Sequence, residues 1–218
     1  MHGRSGKLER WDRKVPTPGG RFYASRQINP CKEMKHSNQL KSSALRFLDS
    51  YPSRIEKIIL SSGESIEVKK YFLKFKAWQG DKPVFDFGRK PIIDFDNEAC
   101  FAELAILRLF LKNGWQGAWV ETYGGTHFLN SMPTSWSLKS EHIPIPDEKE
   151  NLLKTIWKNG KTKACFDVLL WRDNQVLFCE AKRIKKDRLT EAQKKFIQGA
   201  LACRIPLSSF LVVEWDFI

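Results

Sequence analysis

The sequence has no apolar run of the length a membrane span requires. Its first residues, MHGRSGKLERWDRK, hold no apolar stretch of the kind that opens a secretory leader, so none is expected. Glu9 and Asp12 interrupt the same segment and weaken an amphipathic targeting role. The four histidines are scattered, with no H-x-x-x-H or Cys/His spacing, which argues against a structural zinc site. The five cysteines (Cys31, Cys100, Cys165, Cys179 and Cys203) are odd in number and form no C-x-x-C pair. They are expected as small buried hydrophobes of an intracellular protein in a reducing compartment. No internal repeat is visible. A disordered composition is excluded as well, since 42% of the residues are hydrophobic and 12% aromatic, enough to bury a sizeable core. What the chain has in excess is positive charge, +12 formally over 218 residues. That favours a polyanionic partner, nucleic acid before an anionic membrane surface.

The charge is unevenly placed. Residues 1–41 hold ten Lys/Arg against three acids, a surplus of seven. With PTPGG and little apolar periodicity, 1–45 is expected as a basic flexible tail, either solubilising or ordering on a partner. Residues 46–96 change character: IEKIILSSGESIEVKKYFLKFKAW predicts two strands joined at Ser62-Gly63, part of a small β-rich appendage. From 97 to 218 the pattern is a mixed α/β core. DNEACFAELAILRLFLKNG predicts a helix, with Asp96 or Asn97 as its cap and Asn113-Gly114 as its end. GAWVETY predicts a strand. An insertion over 124–160 ends in DEKENLLKTIWKNG, a helix with Gly160 as its stop. ACFDVLLW and QVLFCEAK predict a tight hairpin turning at Asp173-Asn174. LTEAQKKFIQGALAC predicts a helix and SSFLVVEW a last strand. The order is helix, strand, interruption, strand, strand, helix, strand.

The hairpin carries carboxylates where a core strand has no use for them. By alternation Asp167 shares a face with Leu169 and Trp171, and Glu180 shares one with Phe178 and Lys182. Asp167 and Glu180 lie six or seven residues back from the turn on opposite arms, so the hairpin can bring them together. Two carboxylates ~4 Å apart repel by about 1 kcal/mol in water and about 4 at an effective dielectric of 20. Such a pair needs a proton, a cation or a metal. Lys182 supplies one positive charge, and a hard divalent cation with oxygen ligands, such as Mg²⁺ with retained waters, would do more. The alternative is a structural acid–lysine cluster at a strand end.

Glu103 adds a third acid. Its helical neighbours Ala99, Cys100, Ile106 and Leu107 are all apolar, which puts Glu103 on the core-facing stripe. A buried unpaired carboxylate takes up a proton or finds a partner. It is either a boundary residue reaching solvent or an arginine, or a third carboxylate aimed at Asp167 and Glu180.

Helix with Glu, strand, strand with Asp, strand ending in E-x-K, helix, strand: this order resembles the core of the PD-(D/E)xK nuclease superfamily. More narrowly, FDVLLWRDNQVLFCEAKRIKKDRLTEAQKKFIQGALACRIPLSSFLVVEW resembles the VRR-NUC group. The matching residues are Asp167, Glu180-Ala181-Lys182, Asp187-Arg188-Leu189 and Gln193. The resemblance covers about 120 residues, from roughly 97 to 218, and is strongest over 165–215. It departs from the group at Phe166, where a proline often precedes the Asp, and at Arg183, where a glycine often follows the lysine. The insertion over 124–160 is a further departure. It leaves the placement of the first core strand, and any role of Glu121, open.

The resemblance implies a restriction-endonuclease-like αβββαβ core, a mixed sheet flanked by helices. It also implies a Mg²⁺- or Mn²⁺-dependent nuclease that hydrolyses phosphodiester bonds in DNA, endonucleolytically or with flap or junction selectivity. Asp167, Glu180 and the Ala181 carbonyl would hold the metal, with Glu103 completing the site. Lys182 would orient or activate the attacking water and stabilise charge on phosphorus. Gln193 stands in TEAQ, a capping box with Thr190, and the resemblance adds a site role at Lys182 or a phosphate; one glutamine is expected to serve one of these at a time. KRIKKDR places Arg183, Lys185, Lys186 and Arg188 beside the lysine, with Lys194 and Lys195 on the following helix, as phosphate contacts or a solvated patch. Two alternatives stand beside the DNA nuclease: a non-catalytic nucleic-acid-binding module of the same fold, and an RNA-processing nuclease. A homodimer is compatible with the sequence but not derivable from it.

If the tail is a nucleic-acid arm, deleting 1–41 will flatten the fall of affinity with salt, read as the slope of log K against log salt in an oligonucleotide titration. An unchanged slope removes the arm.

Overall fold

The computed structural model describes residues 44–122 and 124–218. All but the last two residues of the basic tail expected over 1–45 lie outside the described residues, and so does Cys31. Strands β1 (Ser53–Ile59) and β2 (Ser65–Ala77) form a hairpin whose turn uses Gly63 at φ 85°, a left-handed conformation that glycine adopts without steric cost. β2 then pairs in parallel with the last strand, β9 (Phe210–Phe217), from Lys69 opposite Leu211 to Phe75 opposite Phe217. The strands of the 46–96 segment are thereby hydrogen-bonded into the same sheet as the rest of the chain.

One expected helix start is corrected. Asp96 and Asn97 do not cap a helix; both adopt positive φ (58° and 64°) and turn β3 (Ile93–Phe95) back on β4 (Glu98–Cys100). The Asn97 N–H donates to Asp94 Oδ1 at 2.9 Å. Asp and Asn tolerate the left-handed region, so two in a row make a two-residue hairpin turn as readily as a cap. Helix α1 (Ala102–Lys112) begins later, with Phe101 at its N-cap position and no side-chain cap. It is held by burial of Leu104, Ile106, Leu107 and Phe110, and it ends at Asn113 and Gly114 as expected.

From α1 the order follows the sequence reading: β5 (Gln116–Glu121), then the interruption carrying β6 (His127–Leu129) and α2 (Asp147–Gly160), then β7 (Val168–Arg172), β8 (Gln175–Arg183), α3 (Glu191–Ala202) and β9. Asp173, at φ 52°, allows the two-residue link between β7 and β8. Among the described residues the chain is a mixed α/β protein with one nine-stranded mixed sheet and three α-helices. The strand order is β4-β3-β2-β9-β8-β7-β5-β6, with β1 beside β2; β2, β9 and β8 are parallel and the rest antiparallel to their neighbours. α1 packs on one face with Tyr71, Leu73, Trp119, Cys179 and Val213. α2 and α3 pack on the other with Phe166, Phe178, Phe210 and Val212. Cys100, Cys165, Cys179 and Cys203 carry buried thiols. Among the described residues no helix is long and apolar enough to cross a membrane.

α2 ends at Gly160 as the sequence suggests, and Lys161 after it takes the left-handed conformation at φ 49°. Gly160 and Gly199 also form the crossing of α2 and α3. A Cβ on Gly199 would lie 2.3 Å from the Ile156 carbonyl oxygen, and one on Gly160 2.4 Å from that of Lys195. The two backbones touch where no side chain fits. Gly199→Ala is therefore expected to cost about 2 kcal/mol by overpacking, read as a lower denaturant midpoint. A gain, as helix propensity alone would give at an exposed site, would show that the crossing yields.

Candidate functional site

The hairpin register sets Val168 opposite Cys179, which brings Asp167 opposite Glu180 at the next step. Each carboxylate accepts from the other strand's backbone: the Ala181 N–H donates to Asp167 Oδ2 at 2.9 Å, and the Asp167 N–H to Glu180 Oε2 at 3.3 Å. Phe166 anchors this end of β7. It is fully buried against the rings of Phe196 and Phe210 at 5.9 and 5.6 Å. The Asp167 carbonyl continues the ladder by accepting from the Val120 N–H at 2.7 Å.

Glu180 is 1% exposed. Its Oε1 pairs with Lys182 Nζ at 2.7 Å and accepts from Gln193 Nε2 at 2.5 Å. Gln193 serves several partners at once, contrary to the sequence expectation. Its Oε1 accepts from the Thr190 N–H at 3.0 Å, closing the capping box, and from Lys182 Nζ at 3.4 Å. A primary amide has two donor hydrogens and two acceptor lone pairs, so the cap and the site do not compete.

Glu103 lies across the sheet on α1, and its partner is Lys90, whose Nζ is 3.0 Å from Glu103 Oε1 and 3.9 Å from Glu121 Oε2. The Lys90 ammonium also sits 5.3 and 5.5 Å from the ring centres of Phe101 and Trp119, a cation–π arrangement. The sequence reading missed Lys90, because no local spacing ties the 78–92 loop to a helix ten residues on. Glu121 was legible by alternation, since it shares a face with Trp119 of the α1-side core.

The electrostatics join both sides at Asp167. Burial, then the charges of Glu180 and Glu103, push its carboxyl well above the ordinary range. Burial also raises Glu180, against the opposing pull of Lys182. Burial alone would lower Lys182 and Lys90, but the surrounding acids, Glu180 with Asp167 and Asp187 in one case and Glu103 with Glu121 and Asp167 in the other, together hold both ammonium groups above their ordinary values.

Of the residues expected to touch nucleic acid, Lys185, Lys186, Arg188 and Lys194 line one groove together with Lys182. Arg183 is turned to the opposite face, its guanidinium 5.0 Å from the Phe217 ring centre and 3.7 Å from Asp216 Oδ1. Lys195 is exposed outside the groove.

Asp167, Glu180, the Ala181 carbonyl and Glu103 form an all-oxygen set, the donor chemistry of a hard divalent cation. The acidic excess is felt at Asp167, which burial and the charges of Glu180 and Glu103 raise against the weaker opposing pull of Lys182. In chemistry and charge the residues fit Mg²⁺ or Mn²⁺. As they stand, no three acidic, histidine or cysteine side chains among the described residues converge on a metal position; Lys90 holds Glu103 while Lys182 and Gln193 hold Glu180. Comparison of the chain with family models, curated proteins and solved structures returns no match.

A carboxyl whose pKa is raised on folding binds its proton more tightly in the folded than in the unfolded state. The folded state therefore loses stability as pH climbs from about 4 towards the raised value. Asp167→Asn, which keeps an acceptor for Ala181 and adds a donor towards Glu180, is expected to melt a few degrees above wild type at pH 8, with the gap closing near pH 4. A lower melting temperature at pH 8 would mean that the neighbours stabilise the ionised form.

Proposed function

We propose that the protein is a divalent-metal-dependent nuclease of restriction-endonuclease-like αβββαβ architecture that hydrolyses phosphodiester bonds in DNA, in a reducing intracellular compartment. The observation that carries this reading is the placement of Asp167 opposite Glu180 across one hairpin, with Lys182 on the Glu180 carboxylate at 2.7 Å. A strand end built for packing alone has no use for two facing carboxylates whose burial keeps one of them well above its usual range.

Mg²⁺ or Mn²⁺, held by Asp167, Glu180, the Ala181 carbonyl and Glu103, would supply Lewis acidity at the phosphorus. The chain's own groups do the rest. Lys182, held as an ammonium by Glu180, donates to a phosphoryl oxygen or orients the attacking water. It has no lone pair in that state, so the proton lost by water goes to another group. Gln193 fixes Lys182 and Glu180 relative to the first turn of α3. Lys185, Lys186, Arg188 and Lys194 hold backbone phosphates.

One observation favours the non-catalytic nucleic-acid-binding module instead: lysine and amide partners already hold the carboxylates, and no three among the described residues converge. Cleavage decides. A labelled panel (single strand, duplex, flap, splayed arm, four-way junction, RNA) is incubated with Mg²⁺, Mn²⁺ or EDTA. Metal-dependent cutting that falls at least about a hundredfold in Asp167→Asn and in Lys182→Ala is expected. Asp167→Asn carries the weight, because removing Lys182 leaves Glu180 buried without its partner, at about 3–5 kcal/mol. Tight binding without cutting in all three proteins would replace the nuclease by the binding module.

A further inference from the structure

We propose that the sheet face left open by the described residues between the β1–β2 hairpin and the 183–189 turn binds an unpaired nucleic-acid strand and leads it to Lys182. The inference rests on the proposed function for the class of its ligand, but it is a claim about binding and is tested without chemistry.

Alternation defines the groove. Ile58, Val68, Phe178 and Val212 face the α2–α3 side of the sheet. Continuing along the same strands, Arg54 and Glu56 on β1, Lys70 and Phe72 on β2, Lys182 on β8 and Glu214 on β9 share that face. They line a groove of about 810 Å³, within the range of ligand clefts, that no helix among the described residues covers. The other wall is the turn after β8 together with Lys194. That turn is preformed: the Arg183 carbonyl accepts from the N–H groups of Lys186 and Asp187, and the Arg183 N–H donates to Asp187 Oδ2.

The charge selects a polyanion. Eight lining side chains are cationic and three anionic, a surplus of five. The anionic ones are already engaged: Glu56 and Glu214 pair with Lys70, which is 5% exposed, and Asp187 closes the turn. Lys57, Lys185, Lys186 and Arg188 have no carboxylate within ion-pair distance among the described residues. Two basic walls facing across a channel suit a chain of phosphates better than a single small anion.

The floor selects an unpaired strand. The Arg54 guanidinium lies 5.0 Å from the centre of the half-buried Phe72 ring, and Ile59 at the rim is 64% exposed. Ring, guanidinium plane and exposed aliphatic surface are what unstacked bases pack on, and a duplex keeps those base faces stacked inside itself. At its inner end the groove reaches Lys182, the ammonium paired with Glu180, so a strand lying in it would pass the carboxylate pair.

The test is fluorescence anisotropy of labelled oligo-dT and oligo-rU with the full chain in EDTA, over a salt series, with a duplex alongside. Arg54→Ala/Lys57→Ala and Lys186→Ala/Arg188→Ala take one wall each, Phe72→Leu takes the ring, and Lys139→Ala/Lys154→Ala serves as a basic control outside the groove. Circular dichroism checks folding. Each wall pair is expected to weaken binding of at least one single strand about tenfold or more and to reduce the salt slope by roughly 1.4, two phosphates' worth. Phe72→Leu is expected to weaken it about fivefold or more with the slope unchanged. Wall variants that behave like the control overturn the groove, and so does a duplex bound as tightly as the strands with Phe72→Leu silent. Groove-dependent binding without metal-dependent cleavage sustains this inference while the nuclease reading falls. Cleavage indifferent to both wall pairs does the reverse.

Discussion

The constraint on which this end of the molecule depends is the carboxylate of Glu180, almost fully buried in a central strand. A buried ionised carboxylate is tolerated only when its lone pairs are met, and here they are met from three directions. Lys182 comes from the same strand two residues on, the Asp167 N–H from the neighbouring strand, and Gln193 from the first turn of α3. Each of these also fixes something else. Gln193 closes the capping box that starts α3, so the helix cannot begin elsewhere without releasing Glu180. Asp167 receives the Ala181 N–H, so a slip of the β7–β8 register would cost two backbone-to-carboxylate bonds as well as the core contacts of Phe166 and Phe178. The buried charge thus makes the register and the start of α3 depend on one another.

The cluster has two sides, and Asp167 is where they meet. On the α3 side Lys182 compensates Glu180; on the α1 side Lys90 compensates Glu103 and Glu121. Asp167 has an acid on each side, Glu180 and Glu103, and is itself buried, so it is the group least able to carry its charge. That is the physical sense of a carboxyl raised by burial first and by acids on both sides next. On the proposed reading, the position best suited to a divalent cation is this carboxyl, raised by burial and by its two acidic neighbours.

How far this was legible in the sequence follows from the range of the interactions. The Asp167–Glu180 pairing could be counted from the turn at Asp173, because a two-residue hairpin leaves no freedom of register. Glu103 could be placed on the buried stripe because a helix of apolar neighbours defines a face. Arg183 could have been assigned to the opposite face from the same alternation that pairs Glu180 with Lys182. Asp96 and Asn97 were not decidable locally, since the same pair serves a cap or a left-handed turn, and the pairing of β3 with β4 settles it. The parallel pairing of β2 with β9 joins segments some 140 residues apart, and Lys90 reaches Glu103 from an irregular loop. Neither leaves a periodic trace. Gly160 ends its helix as read from the sequence, but its second role in a close helix crossing has no local sign.

The basic face of β1 and β2 has a second physical explanation that bears on the groove. Among the described residues β1 pairs on one side only, and edge strands carry charge to discourage pairing with another chain. Arg54 and Lys57 satisfy that need by themselves. Edge protection, however, asks nothing of the residues facing that strand across a gap. Lys185, Lys186 and Arg188 sit on the far wall, in a turn held closed by Asp187, and no carboxylate among the described residues offsets them. Like charges held on two sides of a channel repel and oppose the compact state unless something anionic lies between them. A rim with an aromatic floor and cations on one side is an edge; a channel with cations on both sides and that floor between them has the form of a site.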